Sequence, residues 1–153
     1  MKRFSTYLGS FAKLVYYLGS RPNLNSRDAK IAKLVKLGLS LENQKIFDDQ
    51  LKQLQFVRSM FHGRIKFLYL NRWNCPRFKI DEDSNTGCLG IVGVKNGLKK
   101  GKAALIVKEG FLYSLEFSPN PARDYEPLNL LPSRKWKGVG GAIQRLEHGK
   151  DFE

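Results

Sequence analysis

No run of about eighteen apolar residues occurs, so the chain has no candidate transmembrane helix. Cysteine is scarce. Cys75 and Cys88 stand alone, too few for a disulfide framework or a zinc site. They read as two reduced thiols in or near the core, with a bridge between them reserved for an exported chain. Histidine is equally scarce, at His62 and His148. No GxSxG, P-loop, HExxH or CxxC pair is present. Gly138, Gly140 and Gly141 have the wrong spacing for a dinucleotide fingerprint. There is no internal repeat and no low-complexity segment. Residues 1–20 lack the continuous apolar core and small-residue cleavage pattern of a secretory signal.

Acidic residues are also few: 14 against 27 lysines and arginines, for a net charge of +13. Such a balance attracts phosphate polyanions or anionic lipid. With 42% hydrophobic and 12% aromatic residues, the composition is that of a folded globule. A length of 153 residues is enough to bury a core without metal or disulfide.

The stretch 102–118, KAALIVKEGFLYSLEFS, organises the chain. Phe111, Tyr113, Leu115 and Phe117 alternate with Leu112, Ser114, Glu116 and Ser118, the period of a strand. A three-residue loop at 108–110 gives Gly110 the left-handed position of a bulge. That register sets Val107 opposite Phe111, Leu105 opposite Tyr113, Ala103 opposite Leu115 and Lys102 opposite Glu116.

Upstream, Phe4, Tyr7, Phe11 and Leu14 form an apolar stripe over residues 3–18, read first as a packed core helix. A membrane-surface helix and a cleaved targeting segment are the competing readings. Residues 19–26 are turn-rich. Asn25 caps a second helix over 27–37, with Asp28 reaching back to complete the cap. Lys30, Lys33 and Lys36 line its outer side, and Gly38 ends it. Ser40 caps a third helix whose stripe is Phe47, Leu51, Leu54, Val57 and Phe61, with Gly63 as terminator. His62 then sits at a helix C-terminus, where a cation meets the dipole.

After Gly63 the period changes to two. Residues 64–70 read as a strand, 77–80 as a short strand, and 88–94 as an apolar strand interrupted by Gly90 and Gly93. Residues 128–131 read as an edge strand. The acidic loop 81–87 lacks the ligand spacing and final glutamate of an EF-hand and is assigned no cation. The expected class is α+β: three N-terminal helices followed by an antiparallel sheet of four to five strands. One domain spans 1–153, with a helical part over 1–63 and a sheet part over 64–153.

Two basic clusters are the candidate site. Lys95, Lys99, Lys100 and Lys102 crowd one inter-strand loop, and Arg134, Lys135, Trp136 and Lys137 place an indole inside a basic run. Cations interleaved with an aromatic suit phosphate contact plus base stacking. The expected function is a small basic nucleic-acid-binding protein without catalysis, acting inside the cell in the cytoplasm. RNA is favoured over DNA because no recognition helix or zinc finger is seen. No cofactor or metal is expected. Helices before an antiparallel sheet on a basic surface is also how small metal-independent ribonuclease toxins are built. That likeness of architecture makes such an enzyme the first alternative. A protein-interaction or membrane-peripheral module docking through residues 3–18 is the second.

Overall fold

The computed structural model describes residues 20–80, 85–119 and 124–131. The basic run at 134–137 and the helix expected over 3–18 lie outside them, as does His148. The described chain is α+β, with two helices and a wholly antiparallel sheet. In chain order the elements are β1 (Ser20–Arg21), α1 (Ser26–Leu37), α2 (Leu41–Lys52), β2 (Leu54–Met60), β3 (Ile65–Leu70), β4 (Thr86–Asn96), β5 (Lys99–Lys108), β6 (Phe111–Ser118) and β7 (Glu126–Leu131). The strand order is β1-β2-β3-β6-β5-β4-β7. Six are full strands; β1 is a two-residue edge segment.

Both helices begin as their caps dictate. Asn25 accepts the Asp28 N–H at 2.8 Å, and Ser40 accepts the Asn43 N–H at 3.3 Å. Ile31, Val35 and Phe47 turn inward and meet Val92, Val94, Ala103, Leu105, Val107, Leu112, Leu115 and Phe117 from one face of the sheet. Gly90 marks a close approach of helix to sheet: a Cβ there would stand 3.0 Å from Val35 Cγ1. On the other face Ile91, Ala104 and Ile106 are fully buried as well. Glu116 is 3% exposed there. Ser114 donates its hydroxyl to Glu116 Oε1 at 2.7 Å, and burial pushes the carboxyl pKa up.

The helix expected to reach Gly63 ends at Lys52. Residues 54–60 join the sheet instead, which therefore draws on chain expected to be helical. The spacing Phe47-Leu51-Leu54-Val57-Phe61 fits a helix, but Phe56 and Val57 do not share one stripe. They suit opposite faces of a strand. Val57 enters the core at 6% exposure, and Phe56 stacks on Tyr69 across the hairpin, 4.4 Å between ring centres. Phe61, His62 and Gly63 all take positive φ, at 52°, 56° and 90°. They form the β2–β3 turn, so His62 caps no α-helix. Residues 77–80 form no strand. Thr86 and Gly87, expected in the acidic loop, already belong to β4, while residues 81–84 lie outside the described chain.

The hairpin over 102–118 is present, but its register differs from the expected one. Lys108 pairs with Phe111 across a two-residue turn. Glu109 and Gly110 are both left-handed, with φ of 54° and 80°, the conformation that matches the twist of flanking strands. One extra residue, Tyr113, then bulges out of β6, so that Leu105 faces Leu115, Ala103 faces Phe117 and Lys102 faces Ser118. The bulge restores apolar partners that a plain two-residue turn would have mismatched. Tyr113, next to the core-facing Leu112, lies on the opposite face, beside Ile91, Ala104 and Ile106.

Gln50 makes that bulge tolerable. It is fully buried. Its Oε1 accepts the Leu112 N–H at 2.7 Å, and its Nε2 donates to Pro76 O at 2.7 Å and Gly110 O at 2.9 Å. Phe78 N–H donates to the same Gly110 carbonyl at 2.9 Å, so one carboxamide ties α2, segment 71–80 and the β5–β6 turn together. Replacing it leaves buried amide groups without partners, at about 1–3 kcal/mol each. Gln50→Leu should therefore lower stability by about 2–4 kcal/mol, read from urea unfolding. The exposed Gln55→Leu should change it by less than about 0.5 kcal/mol. Equal midpoints for the two variants would contradict this role.

Candidate nucleic-acid interface

The lysines of the first cluster sit at the β4–β5 turn. Lys95 pairs across the ladder with Lys100, Asn96 with Lys99, and Gly93 with Lys102. Gly97 takes φ 58° at the tip, and Leu98 beside it is wholly exposed. Lys95, Lys99 and Lys100 are exposed, and Lys102 is half-buried. β5 alternates without interruption. Lys100 and Lys102 therefore lie on the face of Ala104 and Ile106, and Lys99 on the face of Ala103 and Leu105, where the helices lie.

Like charges directly opposite in a ladder cost stability, and Lys95 and Lys100 are such a pair. Glu126 on β7 relieves part of that cost: it lies opposite Lys95 on the other side of β4 and meets it at 3.0 Å. Lys99 and Lys100 have no carboxylate partner among the described residues.

The turn forms one wall of a groove of 480 Å³. Arg27 and Lys30, from the first turns of α1, form another wall, and residues 124–127 close it. Four of the six lysines and arginines around this site, Lys95, Lys99, Lys100 and Lys102, were legible as a loop cluster. Arg27 and Lys30 belong to a different sequence feature, the outer side of α1, and only the tertiary fold brings them to the turn. Arg27 is answered by Asp124 at 3.0 Å, while Lys30 has no carboxylate partner among the described residues. Of the helix stripe, Lys36 is committed to Asp48 at 2.7 Å.

At the base of the groove lies a buried polar cluster that sequence reading missed. Asp28, expected to complete a helix cap, faces inward at 2% exposure. Lys66 Nζ donates to both its carboxylate oxygens, at 2.6 and 2.8 Å. Tyr125 donates its O–H to Asp28 Oδ1. The ammonium also lies 5.0 Å from the centre of the Phe117 ring and 5.1 Å from that of Tyr125. Burial, followed by the hydrogen bond to Asp28 and its charge, pushes the Tyr125 phenol far above its usual pKa. The available signal was a strand lysine, Lys66, at a position whose neighbours of like parity, Leu68 and Leu70, are apolar.

These three residues have the chemistry of acid–base catalysis, but each is spent on the others beneath the surface. His62 is exposed in the β2–β3 turn. Cys75 and Cys88 are free thiols, and burial pushes Cys88 up to about 12. Among the described residues no three His, Cys, Asp or Glu side chains are grouped to hold a metal ion, and no helix is long and apolar enough to cross a membrane. No protein-family model, curated protein or solved structure matches the chain.

Removing one partner of a buried ion pair strands the other charge, typically at about 3–5 kcal/mol. Lys66→Met should cost that much in chemical denaturation. Adding Asp28→Asn should recover part of the loss, because the stranded charge goes with it. A double variant as unstable as the sum of the two singles would show that the residues do not act as a pair.

Proposed function

We propose that this is a small basic nucleic-acid-binding protein without catalytic activity, taking RNA in preference to DNA. Its contacts are to phosphate, through Lys95, Lys99, Lys100 and Lys102 on the β4–β5 turn and Arg27 and Lys30 across the groove. The basic run of Arg134, Lys135, Trp136 and Lys137 is a further candidate contact. The observation that carries the reading is the lysine turn itself. A like-charged cross-strand pair, with Lys99 and Lys100 unanswered by any described carboxylate, is held at a sheet end where it costs stability. A polyanion laid there relieves the repulsion.

The preference for RNA has support in the helices. α1 and α2 are joined by a short turn at 38–40, the link of a helix-turn-helix motif. The second helix would have to enter a duplex groove, yet it carries Glu42, Asp48 and Asp49 against Lys45 and Lys52. That sign suits scaffold better than a groove-reading helix.

Phosphate contacts release condensed counterions, so affinity falls with salt by about 0.7 log units per contact per log unit for a single strand. Lys99→Gln with Lys100→Gln should lower the affinity for single-stranded RNA and flatten that slope by about 1.4. Stability should change by less than about 0.5 kcal/mol. An unaltered slope would remove the turn from the interface, and no binding even at low salt would end the nucleic-acid reading. Strand cleavage without added metal would move the protein to the ribonuclease alternative.

A further inference from the structure

The opposite end of the sheet carries a second meeting of rings and cations. A cleft of 290 Å³ is lined by Phe67, Leu68, Tyr69, Leu70, Arg72 and Tyr113. Phe67 and Tyr113 meet edge to face, with 5.4 Å between centres and 71° between planes. Lys108 Nζ lies 5.3 Å from the centre of the Tyr113 ring. Just beyond, the guanidinium groups of Arg72 and Arg77 stand 4.8 and 4.9 Å from the centre of the Phe111 ring. Glu109 answers Arg72 at 3.0 Å. Lys108 and Arg77 have no carboxylate partner among the described residues. Trp73, next to Arg72 in the chain, is 81% exposed.

Rings that serve only as core are usually enclosed by aliphatic side chains. Here Phe67, Tyr69 and Tyr113 are half-buried, line open space and have cations at their margin. A ring offers its π-face to a planar base, and a cation beside it serves the adjoining phosphate. The volume sits at the small end of the range for organic ligands, about 300–1,000 Å³, which suits one base rather than a folded nucleic acid. Leu112 turns into the helix-side core opposite Val107, which leaves Tyr113 on the other face, and the extra residue in β6 then returns Leu115 and Phe117 to the core.

We propose that this cleft receives one unpaired base of a single-stranded polynucleotide, with Tyr113 and Phe67 against the base and Lys108 and Arg72 toward its flanking phosphates. The inference rests on the nucleic-acid reading above and adds discrimination: a base enters only when it is free of a duplex. Lys100 and Lys108 lie on the same face of β5, about 26 Å apart at strand rise. A single strand of about 4–16 nucleotides, the span of comparable binding folds, can contact both ends of the sheet.

The test compares three probes at one salt concentration: a single-stranded oligoadenylate of about twelve nucleotides, the same strand with abasic sites throughout, and duplex RNA of equal length. The wild type should bind the intact strand about tenfold more tightly than either other probe. Tyr113→Leu and Phe67→Leu, which remove the rings that meet the base, should each close much of that gap, whereas Lys99→Gln with Lys100→Gln should weaken all three probes alike. Both cleft substitutions replace half-buried rings with aliphatic side chains, and circular dichroism verifies the fold. Equal binding of intact and abasic strands overturns the base site and leaves the phosphate reading intact. An undiminished gap in both cleft variants overturns its assignment to this cleft. Failure of all three probes to bind overturns both.

Discussion

A lysine ammonium, a carboxylate and a phenol, buried together, decide where the described elements meet. Asp28 comes from the first turn of α1, Lys66 from β3 and Tyr125 from the segment entering β7. Taking two charges out of water costs several kcal/mol per ion, and their attraction repays that only when geometry and hydrogen bonding are good. The contribution of such a cluster lies in placement. With the lysine charge met only at this one point, α1 has one favourable position along the sheet. That position sets Arg27 and Lys30 across from the β4–β5 turn. Gln50 does for the other end what this cluster does for the groove, holding the β5–β6 turn and segment 71–80 to α2 by hydrogen bonds alone.

The excess of positive charge is unevenly answered. Arg27, Lys36, Lys52, Lys66, Arg72 and Lys95 each have a carboxylate within ion-pair distance. Lys30, Lys33, Lys99 and Lys100, near one end, and Arg77 and Lys108, near the other, have none among the described residues. Outside the buried Lys66 pair, exposed pairs contribute about 0–1 kcal/mol each, so their pattern matters little for stability. It matters for where an anion finds cations that are not already engaged. By that measure the turn is a better phosphate site than the groove floor, where Asp124 and Glu126 compete.

Much of the α+β character could be read from local signals. Asn25 and Ser40 announced their helices, Gly38 ended the first, and the alternation of β5 and β6 announced a hairpin. The misses share a cause. Residues 54–60 carry apolar spacing that fits either period, and only pairing with β3 decides for the strand. The β6 bulge depends on an amide partner, Gln50, more than sixty positions upstream of Leu112 by side-chain reach rather than by any local pattern. Asp28 looked like a capping residue because its long-range partner Lys66 was invisible in one dimension. The lysine turn was legible as a run of charge, whereas the groove joins it to a helix stripe that sequence order keeps apart. The rings of the second cleft read as ordinary core, because the expected register put Tyr113 on the face of Leu115 and Phe117, whereas the two-residue turn puts Leu112 there instead.

The central claim is that single-stranded RNA lies on the lysine turn and the facing end of α1. Amide hydrogen exchange of the whole chain, with and without saturating single-stranded RNA at low salt, tests it most directly. The account predicts slowed exchange over residues 26–30, 95–102 and 124–127, with little change along the outer side of α2. Protection centred on α2, with the lysine turn exchanging as freely as in the unbound protein, would contradict it.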